Sequence, residues 1–571
     1  MASQARLRAS DITSSSRYPT HPDDFLAKYK TSAMYQVLFN PDLFEIIVRF
    51  LYGAEGLYDP SSVACLARSS RRLHPTACRV LWRDMDSLVP LLKLIPGFTW
   101  KQCREEGDEM RWEADASRPS SEALSQAVDT VKFERYSRYI KHFAWTGEDI
   151  TSETLKFFVK TLSSLDKPWL PVLQVFTDQS LEDVPPLAVF GAPTLVDLCL
   201  TPTLAKEKTL ANIFKELPSR CPKLRELHML EPDPDSDSES EQTDIPWLSK
   251  SRTFYSEFSN FLRMGVSERS LMGLRVLRMT SAIVWEDVVL LARLPRLEVV
   301  DVCLSVERET TEFERLLPNS FPSLTQLWLA LHQLDAAAMH LLDSIHSVCL
   351  SDLEMTIVGA APDVTATRKF FERLVRSPFA GALTTLYFEV DEATQSMKSP
   401  SIHPPTSSVH TLRPLLGLQN LRRLSIAFPR ILLRDEDIEA LASAWPRLQS
   451  IRIHQTWDGE LPVGVQALSH FVVKCPDLEE IGFDVGLSDD ERKFVHRGSP
   501  TSTSSVKRHH CRDLCPTEIG TYYVRAYLMV MFPNTSTQED EEELFAYIAR
   551  IPSEQSAQPQ AADVAQGLLT V

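Results

Sequence analysis

Apolar residues recur along most of the chain in one phrase: an apolar residue, a proline, then Leu-x-x-Leu-x-Leu or a close variant. Good copies run over Ala192–Leu200, Cys221–Met229, Leu294–Val302, Phe321–Leu329, Trp445–Ile453 and Cys475–Phe483. Copies without the proline run over Leu274–Met279, Leu383–Phe388 and Leu421–Ile426, with looser ones at Ile140–Trp145, Leu173–Thr177 and Leu350–Met355. The first apolar positions are 140, 173, 195, 224, 274, 297, 324, 350, 383, 421, 448 and 478, and most steps fall within or near 22 to 33 residues. Such spacing marks an internal repeat.

Within one repeat the alternation Leu-x-Leu has the period of a short strand with one buried face. Amphipathic stretches such as 437–445 and 465–473 precede the strands and predict helices. Proline then ends each helix, because the residue before it is pushed out of the α region and its ring cannot continue the ladder. A unit of about 20 to 30 residues cannot bury its own apolar face, so neighbours must stack, with parallel strands on a concave side and helices on a convex side. The pattern resembles leucine-rich repeats of the longer, irregular, helix-containing kind, although the Asn or Cys that usually follows the strand is not regular here. An ordinary doubly wound α/β domain also alternates helix and strand and stands as the alternative.

In this phase the leucines point inward, and the residues between them line the open face: Cys199, His228, Arg278, Asp301, Trp328, Glu354, Tyr387, Ser425, Arg452 and Gly482. Aromatic and arginine side chains concentrate at binding hot spots. Trp328 and Tyr387, flanked by Arg278 and Arg452 and with Asp301 between, are therefore the candidate substrate-binding residues.

Residues 37–88 carry a different pattern, three helices with no strand signal. The first places Leu43, Ile46, Ile47, Phe50 and Leu51 at helical spacing behind Asn40-Pro41, an N-cap followed by a first-turn proline. The second holds Val63, Leu66 and Ala67; the third holds Leu73, Ala77, Val80, Leu81 and Trp82. The run from Leu38 to Leu51, the helix with Cys65 to Leu73, and Leu81-Trp82 together resemble an F-box, and residues 83–96 resemble the segment that follows it in fungal F-box proteins. The family's adjacent Leu-Pro pair is spread here to Leu38 and Pro41. The resemblance implies a three-helix module docking on a Skp-type adaptor of a cullin-RING ubiquitin ligase while the repeats hold a protein substrate. The implied adaptor-binding residues are Leu38, Pro41, Leu43, Ile46, Ile47, Leu51, Leu66 and Trp82. A simple cap on the array, in a scaffold unconnected with ubiquitination, is the competing reading.

The expected fold is thus α/β, a three-helix F-box followed by a leucine-rich-repeat solenoid. Its expected map is a disordered tail to residue 36, the F-box over 37–88, a linker with connecting helices over 89–135, the array over 136–534, and an acidic tail from 535. The array is interrupted at 231–244 by seven acids and no base, with Ser236, Ser238 and Ser240 among them, and closes with a helix over 518–532.

Composition narrows the function. The net charge of −17 shows no segregated basic patch and argues against nucleic acid as partner. Eighteen glycines in 571 residues, about 3% against a usual 7%, leave little backbone for phosphate-cradling loops. Neither a signal-like stretch nor an apolar run of membrane-spanning length is evident, and ten scattered cysteines read as reduced thiols, so a cytoplasmic or nuclear, membrane-free protein is expected. Motifs for nucleotide, zinc-protease, serine-hydrolase or kinase chemistry do not occur. His509, His510, Cys511 and Cys515 are close in sequence, but adjacent histidines rarely share a tetrahedral site and no second cysteine pair follows. Neither catalysis, nor a cofactor, nor a metal is expected.

Overall fold

The computed structural model describes residues 40–53, 60–96, 98–104, 110–115, 130–147, 149–162, 167–180, 184–201, 206–230, 252–304, 319–359, 362–390, 407–427, 431–454, 463–486, 506, 508–509, 512–513 and 528. The chain divides into two compact units, Met1–Gln174 with Ala188–Phe190, and Val175–Leu187 with Gly191–Val571. The expected tails, the acidic insertion, the closing helix, Leu38 and the cysteine pair of 511 and 515 lie outside the described residues.

The first unit begins with three helices, α1 (Pro41–Gly53), α2 (Pro60–Ser69) and α3 (His74–Leu81). Asn40 caps α1, its Oδ1 accepting the amides of Asp42 at 3.0 Å and Leu43 at 3.3 Å. Phe44 and Val48, one turn apart, enter a core with Val63, Ala67, Ala77, Cys78 and Val80. Leu43 and Ile46 of the apolar stripe lie outside this core. Helix α1 is apolar on most of its circumference, so periodicity allowed two inner faces, and the core takes Phe44 and Val48 in place of Leu43 and Ile46.

After β1 (Asp84–Met85) and α4 (Val89–Leu92) comes a second departure. Part of the expected linker folds as an antiparallel hairpin of β2 (Thr99–Arg104) and β3 (Met110–Asp115). The residues between the two strands are mostly charged, but the strands' tryptophans hold the pair in place: Trp100 stacks on Phe158 at 5.7 Å, and Lys93 Nζ lies 3.0 Å from the Trp112 ring centroid. The unit continues through α5 (Val131–Ser137), β4 (His142–Trp145), which pairs in parallel with β1, and α6 (Ser152–Leu162).

The second unit is a leucine-rich-repeat-like array. Its strands lie side by side in chain order, all parallel: β5 (Val175–Asp178), β6 (Asp197–Leu200), β7 (Glu226–Met229), β8 (Val276–Ile283), β9 (Val299–Leu304), β10 (Gln326–Leu331), β11 (Asp352–Ile357), β12 (Thr385–Val390), β13 (Arg423–Ala427), β14 (Ser450–His454) and β15 (Glu480–Gly486). Helices α7 (Glu207–Arg220), α8 (Arg252–Ser267), α9 (Trp285–Leu291), α10 (Ala336–Ser344), α11 (Val364–Arg376), α12 (Asp435–Ala444) and α13 (Ser469–Lys474) return the chain between strands.

Three features repeat. The leading leucine of each motif, from Leu195 through Leu224, Leu274, Leu297, Leu324, Leu350, Leu383, Leu421 and Leu448 to Leu478, is at most 1% exposed. Beside these leucines a single carbonyl accepts two consecutive amides of the next repeat. Val196 O takes Arg225 and Glu226, Arg225 O takes Arg275 and Val276, and so on to Gln449 O, which takes Glu479 and Glu480, every bond between 2.7 and 3.1 Å. This backbone ladder sets the strand register with no regular asparagine. Finally, α7, α12 and α13 end on Cys221, Trp445 and Cys475, each just before proline, with φ near −120° and ψ of 60 to 78°.

Candidate functional site

Two surfaces carry the candidate residues. On the first unit, Leu43 and Ile46 of α1 point away from the helical core and are 42% and 63% exposed, Pro41 is exposed, and Ile47 is half-buried. Leu66 and Trp82 are half-buried and pack against the module's core, and Trp82 meets Tyr136 at 4.9 Å between ring centroids. Leu51 lies in α1, but its side chain is outside the described residues.

On the second unit, the strand register aligns Cys199, His228, Arg278, Asp301, Trp328, Glu354, Tyr387, Ser425, Arg452 and Gly482 as one lateral row. Trp328 and Tyr387 are half-buried, as are Arg278 and Asp301. The inward rows are buried: Leu327, Leu329, Leu353, Met355, Leu386 and Phe388 on β10 to β12 are at most 5% exposed. One face of the sheet therefore carries the core, and the opposite one presents the polar row.

The charges on that row are engaged within the sheet. Arg278 lies with its guanidinium carbon 4.8 Å from the Trp328 ring centroid and is the cation that opposes the upward shift of Asp301, whose carboxyl burial pushes up to about 6. Arg452 is engaged by Glu480, which also accepts Ser450 Oγ at 2.8 Å. The two arginines are thus held by neighbours within the sheet and do not present free cations beside the aromatic pair. The outward positions of β10 to β12 form a three-by-three grid of Gln326, Trp328 and Ala330, then Asp352, Glu354 and Thr356, then Thr385, Tyr387 and Glu389. Three of the nine are carboxylates and none is basic. Burial pushes the Glu354 carboxyl up, and the nearby Glu389 carboxylate adds to it.

Farther along the face, His228 Nε2 stands 3.7 Å from Asp197 Oδ1 and 3.6 Å from Glu226 Oε2. Among the described residues this is where three potential metal-ligand atoms lie within 4.8 Å of one another. The thiols of Cys221, Cys303 and Cys475 are pushed up by burial, to about 12, 12 and 11, which keeps them in the unreactive form.

No protein-family model matches the chain, and no curated protein matches it. Two of the solved structures similar to it are a chain of the Rad7 and Elc1 complex in yeast and a leucine-rich-repeat protein of Leptospira interrogans. The first is 14% identical at a TM-score of 0.36, covering 81% of this chain and 90% of that one. The second is 12% identical at a TM-score of 0.32, covering 76% and 93%.

Proposed function

We propose that the chain is a substrate-recognition subunit of a cullin-RING ubiquitin ligase of the SCF type. In this reading α1 to α3 are the F-box that docks on a Skp-type adaptor, and the open face of the repeat sheet holds a protein substrate. The observation that supports it most is the division of labour on α1. Phe44 and Val48 complete the module's core, whereas Leu43 and Ile46 add nothing to it and stay in water. Two large apolar side chains one turn apart on a small helical module are what a partner surface would cover. The half-buried Ile47 and the exposed Pro41 continue that surface.

Affinity capture of the full chain from its own cells, with and without Ile46→Asp, tests the reading. A Skp-type adaptor and a cullin should be captured by the parent and depleted at least tenfold by the variant. Equal adaptor in both captures, or none in either, removes the ligase reading and leaves a repeat scaffold.

A further inference from the structure

Resting on the reading of the open sheet face as the substrate surface, we infer that its centre, over Glu354 between Trp328 and Tyr387, receives an arginine side chain from a basic segment of the partner protein. Trp328, Glu354 and Tyr387 are direct register partners on three neighbouring strands. Adjacent strands lie about 4.8 Å apart, so the two aromatic side chains rise from backbones roughly 10 Å apart with the carboxylate between them. A planar group seated over Glu354 would have an aromatic side chain on either side and the carboxylate beneath.

The sheet itself shows what Trp328 accepts, because the guanidinium of Arg278 already lies 4.8 Å from its ring centroid. Arg278 comes from the β8 side, whereas the slot over Glu354 lies on the β11 side of the same residue. Charge selects the occupant. Asp352, Glu354 and Glu389 share the three strands with no basic residue among their outward positions. The nearest outward arginine on the other flank, Arg423, stands opposite Thr385 and beyond Glu354 by two strands. A guanidinium suits the slot better than an ammonium, since its plane stacks on aromatic rings while its fork of N–H groups donates to a carboxylate. The upward push on Glu354 by burial and by Glu389 is what a bound cation would relieve.

The probe is a random twelve-residue peptide library displayed on phage and panned against the full chain, followed by anisotropy on the selected peptides. Arginine should be enriched among the selected sequences. Replacing that arginine by citrulline should weaken binding about tenfold, and Glu354→Gln and Tyr387→Leu should each weaken it about five- to tenfold. Glu354→Gln keeps the shape of the side chain, and the separate Glu389→Gln variant, on an exposed position, should weaken binding in the same direction. The absence of arginine enrichment, a citrulline peptide that binds equally well, or selection of acidic peptides that depend on Arg278 would each overturn the inference. Capture of the adaptor, measured on the same Glu354→Gln protein, reports on the helical module alone. In the parent chain, absence of adaptor with arginine selection intact counts against the ligase reading and for the slot; adaptor capture with no arginine selection counts against the slot.

Discussion

Lys206 is the place where a single substitution reports most on the interior of the array. Its ammonium is fully buried, and each of its three N–H groups finds an acceptor: Asp178 Oδ2 at 2.8 Å, Thr201 O at 3.2 Å, and Ser180 O. Asp178 in turn accepts the Ser180 amide at 3.2 Å and the Thr201 amide at 3.4 Å. The cluster pins the turn after β5 to the chain that follows β6. Lys206→Met keeps most of the side-chain volume and removes the charge, leaving a buried carboxylate without its cation and two carbonyls without their donor. Breaking a buried pair from one side costs about 3–5 kcal/mol. The cost depends on pH in a definite direction. Burial already pushes the Asp178 carboxyl up, against the hydrogen bond and charge of Lys206, so removing Lys206 raises it further. A carboxyl raised in the folded state contributes stability that is present below its unfolded value and is lost as pH rises through the folded one. The deficit of Lys206→Met should therefore shrink on acidification, by up to about 1.4 kcal/mol per pH unit below the folded value. Hydrogen exchange at the amides of Ser180 and Thr201, between pH 5 and 8 and corrected for intrinsic rates, reads the local opening free energy. A loss below about 1 kcal/mol, or one that does not vary with pH, would refute the assignment of the pair as a structural tie.

Three further outcomes follow from the packing. Asp287, whose Oδ2 accepts Ser259 Oγ at 2.9 Å, has its carboxyl pushed up to about 6 by burial; stability should therefore rise by on the order of 2 kcal/mol from pH 7.5 to pH 4 through this group, and Asp287→Asn should flatten that part of the profile in denaturant titrations. Leu327→Ala, at a position 1% exposed in the middle of the sheet, should cost about 2–5 kcal/mol in urea unfolding, far more than Gln326→Ala beside it. Thiol labelling of the native chain should modify the exposed Cys65 and Cys349 well before the buried Cys221, Cys303 and Cys475, as peptide mapping will show.

Strand placement was legible because it rests on one-dimensional information. Leu-x-x-Leu-x-Leu names the buried face, proline names the helix end, and the carbonyl ladder then stacks each repeat on the last in the same phase, so Arg278, Asp301, Trp328, Glu354 and Tyr387 fall in one row. The charge state of that row was not legible, since whether Arg452 is free or held by Glu480 depends on a neighbour 28 residues away. The inner face of α1 was ambiguous for a different reason: in a helix apolar on most sides, only the docking of α2 and α3 decides between Phe44 and Ile46. The strand pair Thr99–Arg104 and Met110–Asp115 hid behind the charged residues between them, and Lys206 sits in a polar stretch whose sequence carries no sign that its ammonium would be buried against Asp178.

If the face of α1 bearing Leu43 and Ile46 is a binding surface, titration of the purified full chain with a purified Skp-type adaptor in a calorimeter will show it. A saturable one-to-one complex is expected that Leu43→Asp and Ile46→Asp each weaken by at least about 2 kcal/mol, some thirtyfold, while circular dichroism and unfolding remain those of the parent because neither side chain contributes to the core. An affinity unchanged by both substitutions, or the absence of any complex with the parent, would contradict it.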